Sequence, residues 1–132
     1  MNVNFTVFID KILSGEKRQT IRKAGKKWEN VKVGDKLTLY TGLRTKECRK
    51  LGEAEVKSIE DIKLYIEYNH YRDTYYTEIL IDNKIPTDCE INKLVKADGF
   101  RNIYYFLKFF QDHYGNNFKG KIIKWKKFRK AE

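Results

Sequence analysis

Between Gly15 and Arg22 the chain reads Gly-Glu-Lys-Arg-Gln-Thr-Ile-Arg, a hydroxyl crowded by long polar and cationic side chains directly after a glycine turn. Lys17 and Thr20 are the pair with chemistry in reach. A threonine hydroxyl is a poor nucleophile until a base removes its proton. A neutral lysine amine can be that base once its pKa, about 10.4 when free, is drawn toward neutrality. Burial and a nearby cation both depress it. Arg22, or Arg18 depending on how the chain bends, could supply that cation and also hold a phosphate or an oxyanion. Two-residue alternation places Arg18, Thr20 and Arg22 on one face of a strand and Gln19, Ile21 and Lys23 on the other. Lys17, three positions from Thr20, therefore shares its face only if it still belongs to the glycine turn or if a bulge twists the strand. The competing account of this stretch is an exposed edge strand whose positive charges discourage edge-to-edge pairing.

These residues need a scaffold, and the chain is long enough to build one. Its 132 residues suit a single domain (residues 1–132) with a core that needs no staples. There are no repeats, no low-complexity tracts and no linker composition, and the single proline, Pro86, marks no boundary. Val3 to Phe8 reads as a strand, Ile9 to Ser14 as a short helix ended by Gly15, and Arg18 to Arg22 as a second strand. A loop from Ala24 to Asn30 leads through the Gly34-Asp35 turn into a strand from Lys36 to Tyr40. Cys48 to Ile59 reads as another strand, Asp61 to Tyr68 is ambiguous between helix and strand, and Thr77 to Ile81 is a short strand. Thr87-Asp88-Cys89-Glu90 matches a capping box and predicts a helix through Val95 to Ala97. Asn102 then caps a helix whose core stripe is Ile103, Phe106, Leu107, Phe110 and Tyr114, stopped by Gly115. Phe118 to Phe128 closes the fold as a strand. Strands in the first half, then helices, then a last strand predict a mixed α+β domain built on a small barrel or curled sheet.

Taken in order, G-x-K-x-x-T-I-R from Gly15, V-x-V-G-D-x-L-x-L-Y from Val31, A-D-G-F from Ala97 and a closing G-K-I-I-x-W from Gly120 resemble the ASCH domain, a member of the PUA-like superfamily. The similarity spans roughly Phe5 to Trp125, and only the first motif is specific. The resemblance implies a PUA-like small β-barrel, a curled mixed sheet flanked by two or three helices, and binding of RNA or a modified nucleoside. Some bacterial ASCH proteins remove the acetyl group of N4-acetylcytidine with a lysine and a threonine of the first motif plus a glutamate just before the helix. By that resemblance the lysine corresponds to Lys17, the threonine to Thr20 and the acid to Asp98. An aspartate in place of glutamate shortens the reach by one methylene, and an ordinary turn residue beside Gly99 is the alternative role for Asp98.

The charge balance points the same way. Lys and Arg number 28 against 18 Asp and Glu, a formal net charge of +10, so polyanions are the natural partners. The cations concentrate in two runs, Lys11 to Lys27 and Lys119 to Lys130, which merge into one face if the two ends of the fold are neighbours. Arg18, Arg22, Lys23, Lys124 and Lys126 are the expected phosphate contacts. Trp28, in a glycine- and lysine-rich loop, is either a core residue or an exposed base platform. Lysine enrichment serving only solubility or heat tolerance is the alternative. Tyr65, Tyr68, His70, Tyr71, Arg72, Tyr75 and Tyr76 interleave aromatic rings with cations, as a stacking surface or as tyrosines at a core margin.

Cys48 and Cys89 have no zinc or redox spacing, His70 and His113 have no ligand pattern near them, and neither a metal nor a cofactor is expected. The first ten residues lack the charged and apolar regions of a signal peptide and no apolar run approaches membrane-spanning length. A monomeric cytoplasmic protein without membrane contact is expected, its activity either binding or hydrolysis of an amide or an RNA strand.

Overall fold

A computed structural model of the chain describes residues 1–132. The elements run β1 (Asn2–Phe5), α1 (Ile9–Leu13), β2 (Gln19–Lys23), α2 (Lys26–Glu29), β3 (Lys36–Thr41), β4 (Arg49–Asn69), β5 (Thr74–Ile81), α3 (Asp88–Ala97), α4 (Ile103–Tyr114) and β6 (Asn117–Lys130). All six strands form one sheet in the order β1-β3-β4-β6-β2, with β5 paired to β4 off that path. Only the β1–β3 pair is parallel. No helix is long and apolar enough to cross a membrane.

The mixed α+β class holds, with four helices where two or three were expected. The closed barrel does not hold. β1 and β2 end the strand order and share no ladder, so the sheet curls but stays open. Curl comes from the two long strands, β4 and β6, whose pairing shifts register between Glu53 and Glu55 and again between Val56 and Ser58. In place of a backbone ladder, the Arg22 guanidinium reaches from β2 across the opening, its Nη2 donating to the Asn4 carbonyl of β1 at 2.7 Å.

Two hydrophobic cores flank the sheet. Ile122 and Ile123 are successive strand residues on opposite faces, and they enter different cores. Within the curl, Val3, Phe5, Ile12, Leu37, Leu39 and Trp125 pack together. On the other face, α3 and α4 lay Leu94, Val95, Phe106, Leu107 and Phe110 on Ile62, Leu64 and Phe118. Both caps act as the sequence predicts: Thr87 and Glu90 complete a capping box, and the Asn102 side chain accepts from the Tyr105 amide.

Four boundaries differ from expectation. The strand read to Phe8 stops at Phe5, because Phe8 takes the left-handed φ of 60° that turns the chain into α1. The loop read from Ala24 contains the one-turn α2, which exists to bury Trp28. The ambiguous segment after Asp61 is strand, since β5 and β6 pair with it on both edges. Tyr114, read as core, is exposed at the end of α4.

The β2–β6 contact tolerates no side chain at Gly120, where an added Cβ would lie 2.2 Å from the Arg22 carbonyl oxygen. Gly120→Ala is expected to destabilise the chain by about 1–3 kcal/mol by pushing β2 off the sheet. Urea unfolding checks this, and an unchanged midpoint would show that β2 is not held at that distance.

Candidate functional site

The polar cluster sits where the barrel fails to close. Gly15, at φ +81°, ends α1, and the Lys17 amide donates back to the Lys11 carbonyl at 2.9 Å. Lys17 thus belongs to the turn, and β2 begins at Gln19. This removes the alternation difficulty, because Lys17 owes no allegiance to either strand face. Its ammonium turns inward, donating to the Asp98 carbonyl and lying 3.5 Å from Asp98 Oδ1.

Asp98 caps the C-terminus of α3 and is delivered by the helix that the Thr87 box starts. Its carboxylate also accepts from Gln19 Nε2 at 3.4 Å, while Gln19 Nε2 donates to the Leu94 carbonyl at 3.2 Å. On β2, Arg22 Nε donates to Thr20 Oγ1 at 2.9 Å. The Phe5 ring joins the two halves, with Arg22 Cζ 4.8 Å and Lys17 Nζ 6.0 Å from its centroid. Phe8 covers Lys17 from the other side at 5.4 Å.

Lys17, Thr20 and Asp98 are each at most 5 % exposed. Burial pulls the Lys17 ammonium below the usual lysine range, and the positive charges of Arg22 and Lys11 act with burial against the opposing pull of Asp98. Burial likewise pushes the Asp98 carboxyl above the usual range, against the opposing effect of Lys17. Arg22 is lowered by burial as well. Low dielectric and crowded cations are the conditions under which an amine becomes a base.

The expected residues therefore converge as two hydrogen-bonded pairs, Lys17 with Asp98 and Thr20 with Arg22, with no hydrogen bond between Lys17 and Thr20. None of the five principal cavities has Lys17, Thr20 or Arg22 on its wall.

The phosphate contacts are placed more loosely. Arg18 is exposed and lines a groove of about 500 Å³ with Lys124 and Lys126. Lys124 pairs with Glu60 at 3.3 Å, and Lys126 and Lys127 pair with Glu55 at 4.0 and 3.5 Å. Lys23 lies elsewhere, at the rim of a trough of about 940 Å³ with Lys63 and Lys119. Trp28 is buried in the core within the curl, so it is not a base platform. The Tyr65 and Tyr76 hydroxyls donate to Glu67 and Glu78, and that of Tyr68 to Asp73, which holds the Tyr68 pKa up at about 12. With three carboxylates among its rings, the β4–β5 hairpin is a poor surface for RNA.

Sequence reasoning missed Gln19, Phe5 and Phe8. Gln19 carried a signal: it alternates with Ile21, so a polar side chain stands on a buried face and needs a partner there. Cys48 and Cys89 are exposed and unpaired, and no cluster of His, Cys, Asp and Glu has the makings of a metal site. No family model matches this chain, and no curated protein and no solved structure matches it significantly.

Proposed function

We propose that this chain is an ASCH-type domain that binds RNA or a modified nucleoside through the basic surface of β2 and β6. The observation that carries this is the antiparallel register that sets Gln19 opposite Lys124 and Arg22 opposite Lys121. It brings the two cation-rich runs of a chain of net charge +10 onto adjacent strands. The cations that this arrangement leaves on the surface create a positive field that attracts a polyanion. Arg18, Lys23, Lys124 and Lys126 meet phosphate, which positions the ligand without reading it. Thr20 and Asp98 contact a base or ribose, reached when Phe8 and its loop move aside.

One observation favours a second reading, an amidohydrolase acting on N4-acetylcytidine. Arg22 Nε already donates to Thr20 Oγ1, and the amine of Lys17 is shifted toward its neutral form. In this reading the Thr20 oxygen bonds to the acetyl carbon as its proton passes to Lys17. The carbon–nitrogen bond then breaks as the departing amine takes that proton, and water hydrolyses the threonine ester to acetate.

Thr20→Ala separates the two. Binding is expected to stay within about threefold, less than 1 kcal/mol, while acetate release disappears. Incubation of the wild type with N4-acetylcytidine and a panel of RNAs reads both acetate release and strand cleavage. A wild type that releases no acetate removes the hydrolase reading.

A further inference from the structure

Between α1 and α4 lies a cavity of about 500 Å³. Its apolar wall is Phe8, Phe100 and Phe109. Phe100 stands edge-on to Phe8 at 5.0 Å, and Phe109 is stacked on His113 at 4.0 Å. Three cations reach the same cavity, Lys11 from α1, Arg101 from the loop before α4, and Lys108 from α4, against the single carboxylate of Asp112.

The cations here contrast with two of those in the groove beside Arg18. In the groove beside Arg18, Lys124 and Lys126 are paired with carboxylates. Here Arg101 and Lys108 take part in none of the five ion pairs. Lys11, which lines the same cavity, donates to the Gly99 carbonyl at 2.7 Å. An aromatic wall beside cations without carboxylate partners matches a ligand with a flat ring at one end and an anion at the other. The volume falls in the range of small-molecule sites, roughly 300–1,000 Å³.

We infer that this cavity is a mononucleotide subsite, in which a base lies on the phenylalanine wall and a phosphate is held by Lys11, Arg101 and Lys108. The inference rests on the nucleic-acid reading and adds to it a discrete place for one nucleotide. That nucleotide is either free or the phosphorylated end of a strand. The subsite shares Phe8 and Gly99 with the buried pair, since Phe8 also covers Lys17 and Gly99 follows Asp98. A base seated there lies one aromatic ring away from Lys17.

Titration calorimetry with AMP, adenosine and inorganic phosphate tests it, using the wild type and the double variant Arg101→Gln/Lys108→Gln. Both substituted residues are exposed, so the fold survives. AMP is expected to bind at least about tenfold more tightly than adenosine or phosphate, and the double variant should bring AMP down to the adenosine level. Lys46→Gln, an exposed lysine outside this cavity, should leave AMP affinity unchanged. Tighter binding of a 5′-phosphorylated than of a 5′-hydroxyl oligonucleotide identifies a strand end as the source, and equal binding alongside AMP binding identifies a free nucleotide. AMP binding no tighter than phosphate, or insensitive to the double variant, overturns the subsite. If RNA still binds with salt dependence in that case, the broader reading stands without it. If AMP binds but RNA does not, the subsite stands and the RNA reading falls.

Discussion

Replacing Lys17 with methionine is expected to lower stability by about 3–5 kcal/mol, the cost of leaving a buried charge without its partner. The Asp98 carboxylate, 5 % exposed, would keep only the Gln19 amide. Adding Asp98→Asn should restore most of the loss, because a neutral pair can be buried without a counter-ion. The pH dependence has a definite sign. Burial raises the folded-state pKa of Asp98. The stability this contributes is fully present below the unfolded aspartate value and is lost as pH rises through the folded value. Without the Lys17 ammonium that folded value rises further, so the deficit of Lys17→Met should be larger at pH 8 than at pH 4. The double variant should lose most of that slope. Urea unfolding of the wild type and the two variants from pH 4 to 8 reads each effect, and a single variant as stable as the wild type would show that the pair is not what holds α3 against β2.

RNA affinity is expected to fall roughly 60- to 250-fold between 50 and 200 mM salt, which corresponds to a log–log slope near −3 to −4 for about four to six neutralised phosphates of a single strand. The side chains of Lys124, Lys126 and Lys127 are 43 %, 46 % and 69 % exposed, so replacing all three with glutamine should leave the fold intact. Their ion pairs with Glu55 and Glu60 change the size of the effect. A lysine that must leave a carboxylate to reach a phosphate contributes less than a free one, so the triple variant should flatten the slope by about 1 rather than the full value of about 2 for three contacts. For the same reason Glu60→Gln, which frees Lys124, should tighten binding. Thr20→Ala should leave the slope unchanged, since a hydroxyl displaces no counterion. A flat titration for the wild type would reject nucleic acid as the partner and leave a small-molecule site as the better reading.

Local chemistry was enough to fix much of this protein from its sequence. The Thr87–Glu90 box and the Asn102 cap start helices where they should because a cap is a contact among residues three apart. The stripe from Phe106 to Phe110 finds the core for the same reason, and alternation located five of the six strands. Composition set the charge, and the residues after Gly15 marked the cluster, because no strand needs that density of polar groups for packing alone. What lies far apart in the chain was decided only by the tertiary structure. Whether β1 meets β2 depends on the total curl of β4 and β6, a sum of small twists and bulges along 21 and 14 residues that no local pattern encodes. Burial of Trp28 and the carboxylate partners of Lys124 and Lys126 depend on which strand lies alongside. The contact of Lys17 with Asp98 spans 81 positions. It exists because a turn frees one side chain from the strand alternation while a helix end delivers the other to the same gap, and burial there shifts both groups toward their neutral forms.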